Sequence, residues 1–305
     1  MTVSIPKSHE PGKVEWPDTG PPDPQRNFIT TDGGIFDPKE FLNRIRARAR
    51  EGGPEANSVL VFVHGYNNRY QESVYRFVQI IHDSGYKGTA VLFAWPSRGA
   101  ATLYLADRES VAYSRDYLET TLREIAAVPE VHEVNILAHS MGNWLAVETL
   151  RQAAMKGHRD FNGKLNNVVL ASPDIDANVF RTQLDVIGRL RKPMTVLVSR
   201  DDKALSWART FAGGVDRVGE VPADDPRVIA AAARYNLRVV DLTNLQGSSN
   251  YNHNKFAESD AVLKAIGQGL ASEGQGPQAG VYEAVVNAGT SLLKIPAAVA
   301  GVPVE

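Results

Sequence analysis

The chain has no cysteine among its 305 residues. That absence excludes a disulfide scaffold, a thiolate zinc site and a cysteine nucleophile together. It leaves the compartment open, because a chain without thiols is indifferent to redox state. An excess of one charge is also missing: 33 Lys and Arg stand against 35 Asp and Glu, a net −2. Nucleic-acid binders normally carry a basic surplus, so no nucleic-acid partner is expected. Long apolar runs are missing as well. Nothing reaches the ~18 residues that span a bilayer, so no membrane span is expected. The opening stretch, MTVSIPKSHEPGKVEWPDTGPPDPQ, holds no apolar core of signal-peptide length. A cytoplasmic protein is expected if Met1 is the natural start.

What is present is a 43% apolar chain, ample for a large core. Residues 1–35 are rich in Pro, Gly and Asp without periodicity, which predicts an extended arm lying on the domain. Residues 36–271 are the predicted catalytic domain. Residues 272–305 form a Gly-, Gln- and Ala-rich tail, whose Val285, Leu292, Leu293 and Ile295 offer an apolar stripe for docking. In the central part, apolar runs at 58–63, 89–95, 133–138, 167–171, 194–199 and 237–242 read as strands. Helical patterns cover 37–50, 69–83, 108–127, 143–155, 178–190 and 257–270, with a short helix after Ala204. This alternation predicts an α/β fold, a mainly parallel central sheet flanked by helices on both faces. Arg44, Arg46, Arg48 and Arg50 lie two apart, which spreads them around a helix as a solvated surface rather than an anion patch. The loop at 213–226 shows little pattern and is the expected cover for a cleft.

Reactive groups of such sheets collect outside the carboxyl ends of the strands, so each strand end was read for chemistry. The run EVNILA ends in Ala138-His139-Ser140-Met141-Gly142 and leads into a helix. A small residue two positions before and two after a serine, between strand and helix, is a nucleophile elbow. Ala138 stands where glycine is commoner. Ser140 is the candidate nucleophile, and the helix N-terminus favours negative charge beside it. The run SVLVFV ends in His64-Gly65-Tyr66-Asn67-Asn68. The backbone N–H groups of Tyr66 and Met141 are the candidate oxyanion donors, worth about 3 kcal/mol each. Gly65 permits close approach of the backbone to a substrate.

MTVLVS ends in Arg200-Asp201-Asp202. Asp202 is the candidate acid and Asp201 a surface charge or cap. Asp174, after NVVLA, is the alternative acid. His253, in the loop before the last helix, is the candidate base. Of the remaining histidines, His9, His82, His132 and His158 read as arm or surface residues, His64 belongs to the oxyanion loop, and His139 is expected to point away as packing. The order Ser140, Asp202, His253 is that of the α/β-hydrolases. Trp95, Trp144 and Tyr251 are candidate pocket aromatics beside Gly65.

The runs VLVFVHGYNNRYQESVYRFVQIIHDSG, VLFAWPSRG, YLADRESVAYSRDYLE, VNILAHSMGNWLAVETLR, ASPDIDANVF, LVSRDDKAL and NHNKFAES resemble a bacterial α/β-hydrolase family long catalogued as a domain of unknown function. The likeness runs from about Phe41 to Ile266. It implies the same three residues, with Ser140 as nucleophile, Asp202 as acid and His253 as base. Asn252 stands where that family often has a smaller residue before the histidine. Relatives with a similar N-terminal stretch often carry an upstream export or lipoprotein signal, which implies an exported or lipid-anchored protein if such a segment has been removed.

The expected activity is hydrolysis of carboxylic esters, small-molecule or polymeric, through an acyl-enzyme. No cofactor and no metal are expected. The same residues also suit an acyltransferase or thioesterase, and an α/β-hydrolase fold can serve as a non-catalytic binding module. Oligomeric state is not legible.

Overall fold

The computed structural model describes residues 1–17, 20–211, 213–245, 251–271 and 291–292. Two short strands, β1 (Thr2–Ser4) and β2 (Ile29–Asp32), pair antiparallel at the start of the chain. Then follow α1 (Pro38–Glu51), β3 (Ser58–Val63), α2 (Tyr70–Ser84), β4 (Thr89–Phe93), α3 (Tyr104–Ala127), β5 (Glu133–His139) and α4 (Met141–Met155). The second half holds β6 (Leu165–Ala171), α5 (Ala177–Ile187), β7 (Met194–Val198), α6 (Lys203–Phe211), α7 (Pro226–Tyr235), β8 (Leu237–Asp241), α8 (Lys255–Glu258), α9 (Asp260–Ala271) and β9 (Ser291–Leu292).

The larger sheet has the order β4-β3-β5-β6-β7-β8-β9. Strands β3 to β8 run parallel, and β9 closes the edge antiparallel to β8. The chain moves outward from β3 to β4, then returns across β3 to β5. Crossovers of one hand, running in opposite directions, put their helices on opposite faces. A crevice therefore opens at the carboxyl ends of β3 and β5, where that reversal occurs.

The alternation along β3 shows how both faces are filled. Val59, Val61 and Val63 join Val111, Leu118 and Leu122 of α3 and Leu145 and Leu150 of α4. Leu60 and Phe62 join Phe77 and Ile80 of α2 and Leu263 and Ile266 of α9. A strand covered on both sides has no reason to alternate in polarity, which is why SVLVFV is continuously apolar. Each such buried side chain is worth roughly 1.5–3 kcal/mol.

Several boundaries differ from the sequence reading. Helix α3 starts at Tyr104, ahead of the expected 108. Helix α5 stops at Ile187, where Gly188 takes φ 67°. Helix α7 was not expected. Asp225 caps it by accepting from the Arg227 N–H, and Pro226 starts it. The arginines of α1 are a solvated, paired surface: Arg44 bonds Glu40, while Arg46 and Arg50 reach Glu130. Of the tail's apolar residues, Val285, Leu293 and Ile295 lie outside the described residues, and Leu292 is described only as a β9 pairing position.

The arm packs tightly on α2. Phe28 is buried against Val74 and Tyr75, with Val3, Ile5 and Val14 beside them. Both ring nitrogens of His9 lie 2.8 Å from carboxylates, Nδ1 from Glu15 and Nε2 from Asp83. Gly12 donates to Asp83 at 2.8 Å and accepts from Arg76 at 3.2 Å.

Candidate active site

Ser140 connects β5 to α4 with φ 54° and ψ −126°. A non-glycine residue held there costs about 1–3 kcal/mol, so its surroundings must enforce the shape. They do so through the backbone. The Ser140 N–H donates to Ala171 at 3.0 Å, and its carbonyl accepts from the Asn143 N–H and side chain, each at 3.0 Å. Asn143, itself buried, also donates to Ala171 at 2.8 Å. The small residues of the motif have steric causes. A Cβ on Gly142 would lie 2.3 Å from the His64 carbonyl oxygen and 2.6 Å from that of Val63. Ala138 is fully buried in the core.

The loop after β3 presses against this elbow. A Cβ on Gly65 would come 2.9 Å from both His139 Nδ1 and Ser140 Cβ. Asp107, fully buried in the first turn of α3, shapes the next residues. It accepts from Asn67 N–H at 3.2 Å, Ser97 hydroxyl at 2.6 Å and Arg98 N–H at 2.7 Å. The Tyr66 hydroxyl donates to the Ala101 carbonyl. Asp107 does not stand out in sequence, because an acidic residue in a helix's first turn is too common a signal.

Asp202 and His253 meet at the ends of β7 and β8. His253 Nδ1 donates to Asp202 Oδ2 at 2.7 Å. Asp202 is fully buried and its Oδ1 accepts from the Leu205 N–H at 3.1 Å. Burial disfavours the His253 imidazolium, but the charge and hydrogen bond of Asp202, with a smaller push from Asp174, outweigh it. The pKa therefore stands above its ordinary value.

Asp174, the alternative acid, lines the same cleft as Ser140 and His253. Its Oδ1 faces the buried Arg217 Nε at 3.3 Å, and its Oδ2 accepts from the Tyr104 hydroxyl at 2.9 Å. Burial, then this carboxylate, pushes the Tyr104 pKa up.

Two residues set aside by sequence serve the histidine loop. Lys255 is buried, and its ammonium lies 2.7 and 2.8 Å from the two oxygens of Asp201 and 2.9 Å from the Thr243 carbonyl. Asn252, with φ 57°, donates to Asp201 at 2.9 Å. Asp201 is thus a latch for the loop, not a surface charge. His139 does not point away. Its ring lies 4.7 Å from that of His253, and its Nε2 is 3.3 Å from the His253 carbonyl. Burial, then the neighbouring His253, holds its pKa well below the ordinary value.

Ser140, His253, Gly65, Tyr66 and Tyr251 line one cleft of about 660 Å³. Met141 is buried, and its backbone opens α4 beside the elbow. The two tryptophans are corrections. Trp95 is buried, stacked on His64 at 4.9 Å, and donates its indole N–H to the His64 carbonyl at 2.8 Å. It supports the loop after β3 from the core. Trp144 packs on the core under the Arg108 guanidinium at 5.2 Å. The cleft walls come instead from Ala101, Thr102 and Tyr104, from Ala204, Leu205 and Trp207 of α6, and from Val14 and Trp16 of the arm. Nor is the 213–226 loop the cover expected of it. It packs on the turn after β6, with the Gly219 N–H donating to Pro173 at 3.0 Å.

A strained serine between strand and helix, at the crevice of a parallel sheet, with an aspartate–histidine pair after the later strands, defines an α/β hydrolase. The chain belongs to the alpha/beta hydrolases of unknown function (DUF900), whose family pattern matches residues 45–269. Among solved structures it is similar to an esterase from Pyrobaculum calidifontis, with a TM-score of 0.41 and 10% identity over 77% of this chain and 93% of that one. No curated protein matches it. No helix among the described residues is long and apolar enough to cross a membrane.

Proposed function

We propose that the chain is a serine hydrolase of carboxylic esters, with Ser140 as nucleophile, His253 as general base and Asp202 as its orienting acid. The observation that carries this reading is the 2.7 Å bond from His253 to a fully buried Asp202, in the cleft that also holds the strained Ser140. His253 takes the Ser140 proton as the oxygen attacks the ester carbonyl. The tetrahedral oxyanion accepts from the Tyr66 and Met141 N–H groups. His253, now an imidazolium facing Asp202, returns the proton to the departing alcohol. Water then attacks the acyl-enzyme by the same steps in reverse. The acid's role goes to Asp202 and not to Asp174 in this reading, because the His253 imidazole bonds Asp202, while Asp174 Oδ2 accepts from Tyr104 and its Oδ1 lies 3.3 Å from the Arg217 guanidinium.

The test is a p-nitrophenyl ester series, acetate to palmitate, with the wild type and Ser140→Ala. Loss of the nucleophile should lower turnover by at least ~10³-fold. The chain-length profile then measures the acyl side of the cleft. Equal activity of the two proteins overturns the assignment of Ser140, and a wild type inert to the whole series overturns the ester reading.

A further inference from the structure

We infer that His9, His82 and Asp83 form a divalent-metal site, best suited to zinc, that fastens the N-terminal arm to the end of α2. The arm brings His9 to the last turn of α2, where His82 and Asp83 are neighbours. One donor atom from each of the three lies within 4.8 Å of the others. Zinc binds imidazole nitrogen and carboxylate oxygen at about 2.0–2.2 Å, which sets two ligand atoms roughly 3–3.5 Å apart. His9 Nε2 and Asp83 Oδ1, at 2.8 Å, stand close to that spacing. His82 is exposed and offers a ring nitrogen within 4.8 Å of the other two donor atoms.

The surroundings have the form of a metal site's outer shell. Glu15 lies 2.8 Å from His9 Nδ1, on the far side of the ring, so it fixes the tautomer that points Nε2 toward Asp83. Asp83 Oδ2 is fixed by the Gly12 N–H at 2.8 Å and the Gln79 amide at 2.6 Å, which leaves Oδ1 to face His9.

An ion pair of His9 with the two carboxylates, with the Arg76 guanidinium acting on Asp83, is charge-balanced on its own. What sets the metal reading apart is the second imidazole, since the His82 ring lies 5.4 Å from that of His9. Binding displaces the proton from His9 Nε2 and leaves one coordination position to water. No hydrolytic step needs the ion.

The experiment uses the full chain, stripped with a chelator and dialysed. Cobalt(II) is titrated in and followed by its visible bands, and zinc is titrated calorimetrically. One equivalent per chain, with the absorption of a four-coordinate site and a rise of several degrees in Tm, is expected. His82→Ala should bind at least ten-fold more weakly. It leaves the His9 contacts with Glu15 and Asp83 in place, and circular dichroism without metal should match the wild type. Glu15→Gln should weaken binding 10–100-fold. Equal affinity in the wild type and His82→Ala, or no bound cobalt at ~100 µM, overturns the proposal.

Discussion

At the scale of single residues, the site rests on two pieces of geometry with measurable consequences. The first is the bond from Asp202 to His253. Asp202 raises the pKa of His253 above its ordinary value, and in the proposed role of base His253 works only when neutral. The acid limb of kcat/KM should therefore lie above pH 6.5, with activity lost as pH falls through it. Asp202→Asn should move that limb to lower pH and cut kcat by about 10⁴-fold. A pH–rate profile of both proteins checks both effects. The second is the space at Gly142. Its absent Cβ leaves room for two carbonyl oxygens of the β3 end. Gly142→Ala should destabilise by at least about 1–3 kcal/mol, seen as a Tm several degrees lower. Ser140, Asp202 and His253 stand out in sequence as candidates because each follows a recognisable strand. Trp95 and Trp144 were misread because an aromatic near a motif has two sides to face, and sequence does not say which.

At the scale of elements, six parallel strands were legible from continuous apolar runs, since burial on both faces leaves no other pattern. What escaped was the device that holds the histidine loop. Lys255 lies two residues beyond His253 and its ammonium grips Asp201, next to Asp202. The two loops that carry His253 and Asp202 are thus tied by a neighbouring pair. Lysine is ordinarily a surface residue, and only the fold shows this one to be buried. Lys255→Met should lower kcat by roughly 10–100-fold with KM nearly unchanged, because the cleft walls stay while the base loses its support. Steady-state kinetics beside a thermal melt separate that outcome from simple unfolding.

At the scale of the whole molecule, the arm matters more than its composition suggested. Its Pro, Gly and Asp content foretold an irregular path but not a destination. That path places Val14 and Trp16 in the cleft wall and Phe28 against α2. Trp16→Ala should raise KM about 3–10-fold for long-chain esters and leave kcat alone, since Trp16 lines the cleft wall and otherwise packs on Tyr75 of α2. Comparing butyrate with palmitate esters checks this.

The order in which the site's parts occur along the chain has a further consequence. Domains form from the N-terminus during synthesis. The arm, the oxyanion loop and the Ser140 elbow emerge first. The acid follows after β7, and His253 comes last, after β8. On the proposed mechanism, a ribosome-bound chain carries its serine for more than a hundred residues before the proposed base is made. Chains that end before the final crossing of the sheet are then expected to be chemically inert.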